Sequence, residues 1–129
     1  MKVLMQKFPR SSRLTRAADF RCLFRRGRRL NLGQLTLVWL RREVEGQRFT
    51  PVASRKVGNA VRRNRLRRRL KELYRLHRHH LPTPLHFVFI TRRGAAELSW
   101  NELRETVFEL WQKAELLNEH PPNEQTEER

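Results

Sequence analysis

The sequence predicts helices packed on one small β-sheet, in a sandwich of the α+β or α/β class. Apolar residues recur at helical spacing in two segments, and β-branched and aromatic residues concentrate in three short runs. The predicted elements follow in the order helix, two strands, long helix, strand, helix, which is typical of such sandwiches. The 129 residues fit a single domain.

The first half of the chain contains one predicted helix and two predicted strands. Thr15 can cap a helix over residues 15–26, and Gly27 ends it. Residues 35–40 and 49–54 are rich in large apolar and β-branched side chains, and each run is read as a strand. Because Pro51 lacks a backbone donor, the second strand is expected at a sheet edge or at a bulge.

The second half contains the longest predicted helix, the clearest strand and a well-capped last helix. Residues 59–78 form the long helix, and residues 85–92 have the strongest strand composition. Ser99 and Glu102 have the spacing of a capping box. The last helix then carries an apolar stripe: Leu103, Val107, Leu110, Trp111, Ala114 and Leu117.

The charge of the chain is large and is divided between two regions. The chain has 29 Lys and Arg against 13 Asp and Glu, a formal net charge of +16. All but three of the basic residues precede residue 97, whereas nine of the acidic residues follow residue 96. This division predicts a flexible basic arm (1–12), one anion-binding domain (13–117) and a disordered acidic tail (118–129). Nucleic acid is the leading candidate partner, and an anionic membrane surface is the second.

Several classes of protein are disfavoured by what the sequence lacks. Cys22 is the only cysteine, so neither a disulfide framework nor a cysteine-based zinc site is expected. No apolar run approaches the ~20 residues of a membrane span. Residues 1–10 contain no apolar run typical of a secretory signal. We therefore expect a reduced, cytoplasmic, soluble protein with no membrane span.

A nuclease site made of protein side chains is also disfavoured. Metal-dependent hydrolysis of a phosphodiester needs several converging carboxylates. The basic region offers only four acidic residues, Asp19, Glu43, Glu45 and Glu72. A metal or acid–base cluster would fit the histidines at positions 77, 79, 80 and 86, but we interpret them as cations at a helix end plus one partly buried imidazole. No catalytic and no metal-binding residue is predicted.

The long helix has an apolar side and a basic side. On a helical wheel, an apolar stripe is formed by Leu66, Leu70, Leu73 and His77. The opposite side carries Asn64, Arg67, Arg68, Lys71, Arg75 and Arg78, with Arg62, Arg63, Arg65 and Arg69 on its flanks. Glu72 is the only acidic residue in the helix, so ion pairs within it cannot neutralise these charges. Arginine suits bidentate phosphate contacts, and we interpret this side as a nucleic-acid-binding surface rather than a solvated face.

Two features beside the basic surface extend this interpretation. Gly58 lets a phosphate approach the first N–H groups of the long helix, with Arg55 and Lys56 just upstream, while Asn59 also serves as an ordinary helix cap. Phe20 and Phe24 lie one helical turn apart among arginines. Their spacing alone favours packing in the core, and the alternative is a platform on which unpaired bases stack.

Two blocks of residues resemble the protein component of bacterial ribonuclease P. Residues 56–68 read Lys-Val-Gly-Asn-Ala-Val-Arg-Arg-Asn-Arg-Leu-Arg-Arg, and Arg63-Asn64-Arg65 at the centre looks like the family's RNR motif. A second block resembles the family's first helix: Arg13, Leu14, Asp19, Phe20, Phe24 and Gly27. The resemblance covers about residues 10–117. The departures at Arg67 and Lys71 keep the positive charge.

The resemblance implies both a fold and a function. The implied fold is α+β, a small mixed sheet of about four strands packed with three helices, similar to a ribosomal-protein domain with a left-handed βαβ crossover. The implied function is that of the protein subunit of a ribonucleoprotein endonuclease, which removes the 5′ leader from precursor tRNA. A catalytic RNA subunit would perform the chemistry and bind most of the Mg²⁺. No obligate protein partner is implied.

Together, the charge pattern and the resemblance predict two groups of RNA-contacting residues. The group expected to bind RNA near the catalytic core is Lys56, Arg62, Arg63, Asn64, Arg65, Arg67, Arg68, Lys71 and Arg75. The group expected to border a cleft for the tRNA leader, between the first helix and the sheet, is Phe20, Phe24 and Arg55.

Two other functions are compatible with an arginine-rich helix. A ribosomal or other structural RNA-binding protein, with no role in cleavage, would need the same basic surface. A DNA-binding protein could place the long helix in a major groove, but the sequence shows neither helix-turn-helix spacing nor a dimer seam. A role at a membrane surface is the weakest alternative, because the apolar stripe is needed to cover the sheet.

Overall fold

The computed structural model describes residues 17–41 and 46–117, in which four strands form one sheet and three α-helices pack on it. Helix α1 (Ala17–Arg26) is followed by strands β1 (Arg28–Leu32), β2 (Leu35–Leu40) and β3 (Gln47–Ala53). Helix α2 (Ala60–His77), strand β4 (Leu85–Thr91) and helix α3 (Trp100–Lys113) complete the order. The α+β fold is confirmed. The predicted arm, the predicted tail, Thr15, Glu43 and Glu45 lie outside the described residues.

The sheet is mixed, with the strand order β1-β2-β4-β3. Strand β2 pairs antiparallel with both β1 and β4, whereas β3 and β4 are parallel and are joined through α2. Strand β3 therefore lies at an edge, as Pro51 predicts. At an edge, the position of the missing proline N–H can face solvent, so no hydrogen bond to a neighbouring strand is lost.

Strand β1 is the element that the sequence analysis missed. Apolar and polar residues alternate in β1 over a few positions only. Leu30 and Leu32 are its apolar residues, and both are half-buried. A tight hairpin connects β1 to β2, since Leu32 pairs with Leu35 and Gly33 adopts a φ of +56° in the turn. The alternation followed by a glycine is the signal that predicts such a hairpin.

The predicted starts of α2 and α3 are confirmed by their capping hydrogen bonds. The Asn59 side chain accepts a hydrogen bond from the Arg62 backbone N–H at 2.9 Å and caps α2. At the start of α3, the Ser99 hydroxyl accepts from the Glu102 N–H at 3.1 Å, and the Glu102 carboxylate accepts from the Ser99 N–H at 2.8 Å. Both helices therefore begin where the sequence places their caps, to within one residue.

The two faces of the sheet are covered unequally. One face carries the main core, in which the aromatic rings of Phe49, Phe87 and Phe89 pack with apolar side chains of α2 and α3. The other face carries a small cluster made by Leu23 of α1 with Val38 and Val88. Helix α1 thus covers only part of the second face.

A single glutamine ties the start of β3 to the end of α2. The Gln47 amide nitrogen lies 2.9 Å from the carbonyl oxygen of Arg78, 3.0 Å from that of Leu81 and 3.2 Å from that of Pro82. Its amide oxygen accepts a hydrogen bond from the Tyr74 hydroxyl at 2.9 Å. Because these groups come from α2 and the loop after it, the glutamine fixes how the long helix returns to the sheet.

Replacing Gln47 by Glu should destabilise the fold, because the new carboxylate oxygen would face carbonyl oxygens that now receive hydrogen bonds. We expect the free energy of unfolding in urea to fall by about 1–3 kcal/mol. The matched control is Gln112→Glu on the exposed side of α3, which makes the same charge change and should lower stability by less than about 1 kcal/mol. Equal losses in both variants would show that charge alone, and not the Gln47 contacts, matters.

Candidate nucleic-acid interface

The apolar side of α2 is buried in the core. Leu66, Leu70, Leu73 and Tyr74 are each at most 2% exposed. Burying one leucine side chain contributes about 1.5–3 kcal/mol, whereas a like-charged pair three or four residues apart on a helix costs only a few tenths of a kcal/mol. Burial therefore outweighs the repulsion among the arginines and fixes which side of α2 faces outward.

Several arginines of α2 are held in place by backbone carbonyl groups. Arg63 Nη1 donates to the Gly58 carbonyl oxygen at 2.9 Å. Arg67 Nη2 donates to the Ala53 carbonyl oxygen at 3.0 Å, and its Nη1 donates to Asn64 Oδ1 at the same distance. A guanidinium has five N–H donors, so donors remain for a ligand after these bonds are made. The predicted residues Arg63, Asn64 and Arg67 are thus a preorganised group beside the end of β3.

Arg75 is a predicted RNA-binding residue that already has an acidic partner on its own helix. Its Nη2 and Nε lie 2.5 Å and 3.1 Å from the two carboxylate oxygens of Glu72. The hydrogen bonds from Arg75 lower the pKa of Glu72, against a smaller opposing effect of burial. Much of the positive charge of Arg75 is therefore neutralised within the helix.

Arg65 and Arg68 are exposed and make no hydrogen bond or ion pair with the residues that the structure describes. They lie on the outward side of α2, one helical turn apart. Lys71 continues this side and is half-buried. Together with the tethered arginines, they form a continuous cationic surface that no carboxylate of the helix apart from Glu72 can neutralise.

The turn before α2 adds two exposed basic residues to this surface. Arg55 and Lys56 lie in a 3-10 turn, Arg55–Val57, and both are exposed. Gly58 ends the turn with a φ of +154°, a conformation that side-chain-bearing residues rarely adopt. A Cβ atom there would also lie 2.9 Å from Arg62 Cδ. The glycine thus allows the basic turn to join α2 directly.

The two phenylalanines predicted to border the leader cleft differ in burial. Phe20 is half-buried and packs against the small cluster of Leu23, Val38 and Val88. Phe24 remains 38% exposed. The two rings are nearly parallel, with centroids 6.3 Å apart and an interplanar angle of 12°. Phe20 thus follows the core packing that its spacing favours, and Phe24 is the ring that is available to a ligand.

Arg29 was not predicted as part of this region, and it lies over the Phe24 ring at 5.9 Å from the centroid. The second face of the sheet continues from α1 with half-buried apolar side chains, among them Val52 and Ile90. An aromatic ring, a cation and a partly covered apolar face are the components that stack and neutralise single-stranded nucleic acid. The unpredicted strand β1 supplies Arg29, which is why sequence reasoning missed it.

The histidines near the end of α2 lie close together and differ in burial. His77 is the predicted partly buried imidazole, and its ring meets Phe108 edge-on at 4.6 Å. Burial, followed by the charges of His80, His79 and Arg104, lowers the pKa of His77. Burial and His79 also lower the pKa of His80. The surroundings of His77 and His80 therefore favour the neutral form of each imidazole.

Neither a metal centre nor a membrane span is found in the described ranges. Within residues 17–41 and 46–117, no three His, Cys, Asp or Glu side chains lie together in a way that could hold a metal ion. In the same part of the chain, no helix is both long and apolar enough to cross a membrane. Among these described residues, the side chains therefore do not fit a Mg²⁺ site.

Comparison with known proteins identifies the family. A family model for ribonuclease P matches residues 8–115. The chain belongs to the ribonuclease P protein family. The ribonuclease P protein component of Dictyoglomus thermophilum is 32% identical over 114 residues, which cover 87% of this chain and 95% of the relative. That of Cronobacter sakazakii is 36% identical over 107 residues, which cover 82% and 89%.

Solved structures of ribonuclease P proteins show the same fold. The protein from Thermotoga maritima is 27% identical and superimposes with a TM-score of 0.71, covering 78% of this chain and 96% of that one. A Staphylococcus aureus protein at 23% identity gives a TM-score of 0.77 over 83% and 98% of the two chains. In the present member of the ribonuclease P family, the RNR block of residues 63–65 lies in the first half of α2.

Proposed function

We propose that this chain is the protein subunit of a ribonucleoprotein endonuclease, ribonuclease P, and that it helps to remove the 5′ leader from precursor tRNA to give mature tRNA 5′ ends. The observation that supports this proposal best is the outward side of α2. There Arg65 and Arg68 are exposed without partners among the described residues, and they stand beside arginines tethered to backbone carbonyls. Such a surface needs a polyanion to neutralise it.

In this proposal α2 and the turn before it bind the catalytic RNA subunit. Arg65 and Arg68 contribute charge, while Arg63, Asn64 and Arg67 contribute a fixed geometry, because their side chains are already held. Lys56, Arg62 and Lys71 extend the surface to either side. Arg75 contributes least to RNA binding, since the Nε and Nη2 donors of its guanidinium already bind the carboxylate of Glu72.

The leader of precursor tRNA is proposed to lie along α1 and the partly covered face of the sheet, with Arg55 at its border. Phe24 is the ring expected to contact an unpaired base, because it is more exposed than Phe20 and has Arg29 above it. Phe20 acts mainly as the support that holds α1 on the sheet. Stacking of this kind is tolerant of base identity.

The chemistry is proposed to belong to the RNA subunit and to the Mg²⁺ that the RNA binds. Two observations support this division: the described carboxylates do not converge, and the interface consists of donors that bind phosphate without transferring protons. The protein's contribution is to neutralise backbone phosphates where two RNAs approach each other. We place this activity in the cytoplasm and propose no obligate protein partner.

Replacing Arg68 by Gln should weaken binding to the catalytic RNA of a bacterial ribonuclease P and make that binding less dependent on salt. One lost phosphate contact reduces the slope of log affinity against log salt concentration by about 0.7–0.9. The matched control is Arg41→Gln, which removes one exposed arginine just after β2. An Arg68 variant with the same slope as the control would contradict a phosphate contact at Arg68.

Replacing Phe24 by Ala should weaken binding of precursor tRNA by the assembled enzyme more than binding of mature tRNA. The expected loss is about 1–3 kcal/mol if one leader base stacks on the ring. Leu76→Ala is the matched control, since Leu76 is a similarly exposed apolar residue on α2. Equal weakening of both tRNAs would show that Phe24 supports the fold or the RNA subunit instead of the leader.

A further inference from the structure

A cleft of about 360 Å³ lies between α2 and the segment that leads into α3. Arg62, Arg65 and Arg69 line its α2 side, and residues 96–99 line the other side. Because these arginines are spaced by three and four residues, they project from the same side of the helix. This side is adjacent to the apolar stripe and distinct from the position of Arg67, which turns toward β3.

The three arginines of the cleft are in three different states. Arg69 is held by a hydrogen bond from its Nη1 to the Leu98 carbonyl oxygen at 3.1 Å. Arg62 is paired with Glu97, with Nη1 and Oε2 2.6 Å apart. Arg65 is exposed and makes no contact of this kind with the described residues. The guanidinium of Arg69 is thus held by the backbone, that of Arg62 is paired with a carboxylate, and that of Arg65 is available to a ligand.

Glu97 is the only carboxylate among the residues that line this cleft. Its pair with Arg62 is exposed, with side-chain exposures of 54% for Arg62 and 59% for Glu97. Exposed ion pairs contribute little stability, because water screens them and ordering two long side chains has an entropic cost. A phosphate that contacts two guanidinium groups at once is a stronger partner, so the carboxylate can be displaced.

The start of α3 does not provide the anion-binding groups. Its capping box already satisfies the N–H groups of Ser99 and Glu102. Trp100 and Asn101 do not line the cleft, and among the side chains that do, the N–H donors are those of the arginines. The size of the cleft is at the small end of ligand-binding pockets, which suits a single backbone unit of a nucleic acid.

We propose that this cleft binds one backbone phosphate of RNA, and that Glu97 holds Arg62 in the free protein as an exchangeable counter-ion. On binding, Arg62 leaves Glu97 for the phosphate, while Arg65 and Arg69 complete the contact. No covalent bond changes in this exchange. The inference depends on the proposed function, because RNA is the anion that the outward side of α2 is expected to meet.

The test measures the affinity of four variants and the unaltered protein for the catalytic RNA of a bacterial ribonuclease P at one salt concentration. The variants are Glu97→Gln, Glu105→Gln, Arg62→Gln and the double variant Arg62→Gln/Glu97→Gln. Glu105 is an exposed residue of α3 that does not line the cleft, so its replacement makes the same change in net charge. Circular dichroism checks that each variant is folded.

The proposal predicts that Glu97→Gln binds the RNA about two- to fivefold more tightly than Glu105→Gln, the range expected for release of an exposed ion pair. In the Arg62→Gln background, the replacement of Glu97 should give no gain beyond that of the control. Equal affinities of Glu97→Gln and Glu105→Gln would overturn the inference, as would a gain that persists without Arg62. Both of these results leave RNA binding itself intact. Failure of the unaltered protein to bind the RNA would instead reject the proposed function together with this site.

Discussion

Burial of one side of α2 against the sheet determines that the basic side of this helix faces outward. Leu66, Leu70 and Leu73 are almost fully buried, and each contributes more free energy than the repulsion within any arginine pair removes. The helix therefore has one possible orientation. Every basic residue between those leucines is forced to the rim or to the outside, where a polyanion can reach it.

The structure reduces the repulsion on the outside without removing the positive charge. Backbone carbonyl oxygens of Gly58, Ala53 and Leu98 accept hydrogen bonds from Arg63, Arg67 and Arg69, while carboxylates pair with Arg62 and Arg75. Side chains that are already ordered lose less conformational entropy when they bind. The surface therefore combines two kinds of arginine. Those held by backbone carbonyl groups present phosphate-binding donors in a fixed geometry, and those whose guanidinium groups are available add to the affinity for RNA.

The structural features that depend on residues close together in the sequence were predicted correctly. The caps of α2 and α3 and the buried stripe of α2 depend on residues a few positions apart, and all were predicted and confirmed. Strand β1 was missed because its half-buried leucines make a weak alternation, and what stabilises the strand is its pairing with β2 and the packing of those leucines on the main core. The tethers of Arg67 and Arg69 and the pair between Arg62 and Glu97 join residues 14 to 35 positions apart. Such contacts follow from how α2 is placed on the sheet, so no helical wheel could have shown them.

The most direct test is the cleavage of a precursor tRNA by a bacterial ribonuclease P RNA at a Mg²⁺ concentration at which that RNA alone is slow. If this protein acts by presenting the outward side of α2 to RNA, its addition should accelerate removal of the leader, and the protein alone should release none. A folded double variant, Arg65→Gln/Arg68→Gln, should lose most of the acceleration. Cleavage by the RNA-free protein, or full acceleration by the double variant, would contradict the account.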